Sequence, residues 1–146
     1  MRVNHLDAGR QIFACAALAA ILSFGLATAA DQFPFDQEIL LDAAPMPPAK
    51  RMPILTVESN GNAKIDLWCR TVPARVEISD ATIKIEAGPL PEDLPAMQSA
   101  GQCTPGRIKA DEEMLASIVQ VTEWRREGDA ILLIGPASMK FRPATN

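Results

Sequence analysis

From Ile54 onward, apolar and polar positions alternate in short runs, the period of strands with one buried face. Ile54-Leu55-Thr56-Val57-Glu58 and Ala63-Lys64-Ile65-Asp66-Leu67-Trp68-Cys69 flank Ser59-Asn60-Gly61-Asn62, and two β-prone runs around Asn-Gly predict a hairpin. In the second run Ile65, Leu67 and Cys69 share one face and Lys64, Asp66 and Trp68 the other. Cys69 therefore points toward the core, and Trp68 points outward or covers a rim. Arg70-Thr71-Val72-Pro73 breaks the run. Arg75-Val76-Glu77-Ile78 and Ala81-Thr82-Ile83-Lys84-Ile85-Glu86 then alternate about Ser79-Asp80, as two strands joined by a tight turn or as one bent strand.

The period changes once. Over Asp111–Glu123, Leu115, Ile118, Val119 and Thr122 recur at helical spacing, and Met114 and Val121 widen the stripe, so an amphipathic helix is expected there. Two starts are available: Thr104-Pro105, an N-cap with proline in the first helical position, or Asp111-Glu112-Glu113. Trp124 to Asp129 reads as a turn, Ala130–Ile134 as a buried strand, and Ser138–Arg142 as an alternating strand after Gly135-Pro136-Ala137. Upstream, Glu38–Asp42 is a short strand candidate. Pro45, Pro47 and Pro48 cannot donate to a ladder, so residues after it form an extended connector or an edge. Residues 88–103 form a long polar, proline-rich connection, of a length that calls for a function or a pin.

One further apolar run, Ile12 to Leu26, follows Arg2 and Arg10 and closes on Ala27-Thr28-Ala29-Ala30, the layout of a secretory signal peptide cleaved after Ala29 or Ala30. At about 15 residues it is shorter than the roughly 20 that a spanning helix needs. Export implies a periplasmic or secreted protein with no membrane span once the leader is gone. Loss of residues 1–30 removes Arg2, Arg10 and Asp7, leaving 12 basic and 17 acidic residues and a net charge of −5. That balance, with no basic run, argues against nucleic acid as a partner. A single mature domain, monomeric, is expected.

Export also removes Cys15 and the sole histidine, His5, and the chain has no tyrosine. Without imidazole, the nucleophile–histidine arrangements and histidine-ligated zinc or copper sites are excluded. Cys69 and Cys103 are the two cysteines that remain, in a compartment where disulfides persist, and they are expected to pair. In the chain-entropy model a loop of that size is worth about 4 kcal/mol. Carboxylates remain as candidate chemistry, at Glu92-Asp93 and Asp111-Glu112-Glu113. Neighbouring acids do not face each other across a cleft as a glycosidase requires, and acids at a helix start have an ordinary explanation in the helix dipole. Serines 59, 79, 99, 117 and 138 lie in no nucleophile motif, and no phosphate-binding or dinucleotide glycine pattern or calcium loop occurs. Arg125-Arg126 is a solvated pair or a grip for an acidic partner. No catalytic residue, cofactor or metal ligand is assigned, and the chain is expected not to be an enzyme.

Taken in order, a hairpin ends in Cys69, a long connection brings Cys103, a helix with an acidic start follows, and the chain closes with Gly128-Asp129-Ala130-Ile131-Leu132-Leu133 and Met139-Lys140-Phe141. From about Ile54 to Phe141 this resembles the META domain family, the HslJ-like domains of bacterial envelopes. It departs from them at the first cysteine, where members commonly carry Gly-Cys-Asn and this chain has Trp68-Cys69-Arg70. The resemblance implies an α+β fold: a small antiparallel, partly barrel-like β-sheet packed against one amphipathic helix, with one disulfide. It also implies a role in heat-shock or envelope stress response, through an envelope protein or small ligand as partner. The domain layout is then a leader over 1–30, an N-terminal strand and proline-rich connector over 31–50, and a META-like domain over 51–146. The chain is similar, too, to small periplasmic β-barrel inhibitors of metalloproteases, for which Asp31–Pro48 would serve as the inhibitory segment.

Overall fold

The alternating runs form strands whose apolar faces all turn inward on one another. The computed structural model describes residues 33–93 and 101–144; the expected leader lies outside them. The strands are β1 (Glu38–Leu41), β2 (Ile54–Val57), β3 (Asn62–Asp66), β4 (Thr71–Ser79), β5 (Thr82–Ala87), β6 (Glu123–Glu127), β7 (Ala130–Ile134) and β8 (Met139–Pro143), with one helix, α1 (Pro105–Ile118), between β5 and β6. Each strand pairs antiparallel with the next, and β8 returns to β1, so the sheet closes into an eight-stranded barrel. The partly barrel-like sheet expected from the resemblance is thus fully closed, which removes both edges. Strand β1, from the 31–50 segment, is one of its staves, paired with β2 and β8.

An eight-stranded barrel has an interior just wide enough for side chains to fill. Here Ile39, Leu55, Val57, Ile65, Val72, Val76, Ile83, Ile85, Ile131, Leu133 and Phe141 are all buried in one core cluster. Phe33 folds over one end, its ring edge-on to Trp124 at 5.1 Å. The other end, where β1 runs toward β2 and β3 into β4, is covered by α1, whose Met114 and Ile118 join the core with Val121 just beyond.

Several expected boundaries move. Strand β3 stops at Asp66, and residues 67–70 make a turn in which Leu67 N–H donates to Arg70 O at 2.7 Å. Because alternation ends there, Trp68 does not face outward: it is buried alongside Leu67 and Cys69. Pro73 does not break the sheet but lies within β4, opposite Lys64 of β3. Gly88 N–H donates to Pro73 O at 2.9 Å just past the end of β5, so the bond that proline cannot return is lost only at the last rung of that ladder. The β4–β5 connection is a tight turn with Asp80 in the left-handed region (φ 50°), a conformation aspartate tolerates. Trp124–Glu127, expected within a turn running to Asp129, and Glu123, expected to end the helix, instead form β6, paired along its length with β7.

The helix starts at the earlier of its two possible points. Thr104 is the N-cap, its hydroxyl accepting from Arg107 N–H at 3.4 Å, and Pro105 opens the first turn. It ends at Ile118, before the expected Glu123. The buried stripe is therefore Arg107, Asp111, Met114 and Ile118, while Val119, expected on the apolar face, is 41% exposed.

Candidate functional site

Two side chains of charged type on the buried stripe of α1, Arg107 and Asp111, need explanation, because burial of a charge is costly unless it is paired or hydrogen-bonded. Asp111 is fully buried. One oxygen accepts the backbone N–H of Cys69 at 3.1 Å, and the other accepts the backbone N–H and the Nε–H of Arg70, each at 3.1 Å. The aspartate thus caps the β3–β4 turn and binds the arginine that follows it. Arg70 also donates through Nη2 to Ile108 O at 3.0 Å, and Glu112 lies 3.8 Å from the same nitrogen.

One turn earlier, Arg107 is 1% exposed and is held by carbonyl oxygens rather than by a carboxylate. Its Nη2 donates to Trp68 O at 2.7 Å, and its Nη1 donates to Met46 O and to Ala49 O, the latter at 3.1 Å. Its guanidinium carbon lies 5.7 Å from the centre of the Trp68 ring, within reach of a cation–π attraction. The Arg107 side chain therefore fastens the proline-rich connector to the helix through the carbonyls of Met46 and Ala49.

The disulfide completes this clamp. Cys69 and Cys103 are bonded, with Cα atoms 5.8 Å apart, joining the β3–β4 turn to the residue before the N-cap of α1. The bond ties the end of the connection, at Cys103, to a point the helix already grips through Asp111; residues 94–100 of that connection lie outside the described residues.

The acidic cluster expected at Asp111-Glu112-Glu113 separates around the helix. Only Asp111 is buried; the side chains of Glu112 and Glu113 are 60% and 66% exposed, and Glu113 pairs with Lys109 at 3.4 Å. As a mid-helix residue, Asp111 does not serve the N-terminal dipole. Glu92 and Asp93 are exposed. Arg125 is turned back on Glu127, with Nη2–Oε1 at 2.8 Å, and Lys140 lies 3.5 Å from the other oxygen. The hydrogen bond from Arg125 holds the Glu127 carboxyl below its usual range against the desolvation opposing it, with Lys140 adding to the effect. On β5 the Lys84–Glu86 pair at 2.6 Å lowers the carboxyl and raises the amine, chiefly through the bond between them. Among the described residues, no three His, Cys, Asp or Glu side chains come together as a metal set, and no helix is long and apolar enough to cross a membrane. An open groove of about 260 Å³ runs between α1 and the start of β8, lined by Leu41, Trp68, Met114 and Met139 with Glu113 at its side.

What this arrangement does chemically is hold backbone in place: Asp111, Arg70 and both terminal nitrogens of Arg107 bond to amides, carbonyls or each other, while the buried Nε of Arg107 has no partner among the described residues. Arg70, Arg107 and the structural role of Asp111 were not anticipated from the sequence. The available signal was the register of the helix: positions 107, 111, 114 and 118 fall on one stripe, and charged residues on a buried stripe require partners elsewhere in the chain. The chain matches no protein-family model, no curated protein and no solved structure.

Proposed function

We propose that this chain is a non-catalytic, exported envelope domain of the META/HslJ type, with a binding or stress-tolerance role in the periplasm. The observation that carries this reading is the covalent tie of the β3–β4 turn to the helix start, Cys69 to Cys103, in a barrel with a single described helix. This is the element order on which the resemblance rests, and a disulfide suits an oxidising compartment. The use of Asp111, Arg70 and Arg107 as internal fastenings supports a domain whose polar groups serve architecture rather than turnover.

The inhibitor-like alternative draws no comparable support. Of its segment, β1 is paired on both sides and Met46 O is bound by Arg107, so these parts of it are already engaged by the barrel and its clamp. Expression of the full-length chain in a Gram-negative host, followed by fractionation and intact-mass measurement, tests the proposal. The expected product is periplasmic, lacks residues 1–30 and has no alkylatable thiol until reduced. A cytoplasmic product with its leader intact, or one with both thiols reactive, would sink it.

A further inference from the structure

We propose that Cys103 Sγ is the site at which a dithiol reductant opens the Cys69–Cys103 bond, and that the barrel and α1 stay assembled when it does. This inference does not rest on the envelope reading; it follows from the unequal settings of the two sulfur-bearing residues. Cys69 is 0% exposed, and its backbone N–H is held by Asp111. The residues on either side of it are fixed as well, Trp68 through Arg107 and Arg70 through Asp111 and Ile108. Cys103 is partly exposed and follows the exposed Gly101 and Gln102.

Thiol–disulfide exchange proceeds by attack of a thiolate on one sulfur with departure of the other, so access decides which sulfur is attacked. Attack on Cys69 would require a path through the packed turn. Cys103 is the partly exposed residue of the two, so it is the one an attacking thiolate can approach. The reductant thiolate bonds to Cys103 Sγ, the Cys69–Cys103 bond breaks, and Cys69 leaves as a thiolate that takes a proton. The second reductant thiol, deprotonated, then attacks the reductant sulfur of the mixed disulfide. Cys103 leaves and is protonated, and the reductant departs as a disulfide. Two electrons and two protons have passed to the protein, which holds two thiols.

The helix has other attachments in place when the bond opens. Asp111 binds the amides of residues 69 and 70, Arg107 binds carbonyls at 46, 49 and 68, and Met114 and Ile118 remain in the core. None of these passes through the sulfur atoms. The bond therefore duplicates a junction that hydrogen bonds already make, and what its opening releases is the end of the β5–α1 connection at Cys103.

The test uses the purified chain with the Cys69–Cys103 bond formed, without denaturant. Brief exposure to glutathione followed by acid quench and peptide mapping is expected to place the mixed disulfide on Cys103. After full reduction with dithiothreitol, N-ethylmaleimide is expected to modify Cys103 at least tenfold faster than Cys69, with the near-ultraviolet circular dichroism of Trp68 and Trp124 retained. A mixed disulfide on Cys69, equal alkylation of the two thiols, loss of the tryptophan signal on reduction, or no reduction short of unfolding would each overturn the proposal.

Discussion

Asp111 and Arg107 lie one helical turn apart on the same buried stripe, yet they depend on different partners and respond differently to removal. Asp111 neutralises Arg70 and accepts from two backbone amides, so Asp111→Ala leaves a buried cation and two buried N–H groups without their acceptor. Breaking one side of a buried pair costs about 3–5 kcal/mol. Arg107→Met keeps much of the stem's volume but strips the donor from three carbonyls, for which about 3 kcal/mol is expected from the penalty for unsatisfied buried groups. Urea unfolding of the oxidised proteins measures both. The site-specific signature of Arg107→Met is earlier proteolysis within residues 43–52, and a variant that loses stability without exposing that segment would refute the fastening role.

At the scale of elements, the barrel is closed unevenly. Strands β4 and β5 share six paired positions and β6 and β7 share five, whereas β5 and β6 meet at Thr82–Glu123 alone. That seam is carried by Ile83 N–H to Thr122 O at 3.0 Å and Trp124 N–H to Ala81 O at 2.9 Å. Local opening follows the elements with the fewest supporting bonds. Hydrogen exchange under native conditions is therefore expected to release the amides of Ile83 and Trp124 well before those of Val76, Ile131 and Leu133. Uniform protection around the barrel would contradict a weak seam. The insertion of α1 between β5 and β6 accounts for it, because the chain leaves the sheet after β5 and re-enters from the helix rather than through a hairpin.

Taken as a whole, and apart from buried Arg70, Arg107 and Asp111, the described strands carry charge on the outside of the barrel, in same-strand pairs such as Lys84–Glu86 and Arg125–Glu127. Glu86 and Glu127 are held below their ordinary value of 4.5, so each contributes stability that is present above that value and lost as pH falls through the lowered one. Lys84 is held above 10.5, so its contribution is complete below that value and lost as pH rises through the raised one. These side chains are exposed and screened, which keeps the effects small. Acid titration of the Glu86→Gln/Glu127→Gln double variant is expected to show a flatter loss of stability below pH 4.5 than the parent, with added salt narrowing the difference. An identical acid limb in parent and variant would rule out these pairs as contributors.

The sequence by itself determined what depends on neighbours along the chain. The alternation of Leu55 with Val57 and of Ile83 with Ile85 and the Asn60-Gly61 turn were legible because period and turn chemistry are local, whereas the Ser79-Asp80 turn and the Thr104-Pro105 helix start each stood as one of two readings until the structure chose between them. The Cys69–Cys103 pairing was legible because, on the expectation that residues 1–30 are a leader, two cysteines remain. Only the tertiary structure decided closure of the barrel, which requires β8 to find β1 across the length of the domain, and the conversion of Trp124–Glu127 from turn to strand by pairing with β7. It also decided the fate of three charged residues. Arg70, Arg107 and Asp111 look like ordinary surface side chains in the sequence, and they become internal fastenings because the helix lies over exactly the end of the barrel where unpaired amides and proline-rich carbonyls need partners.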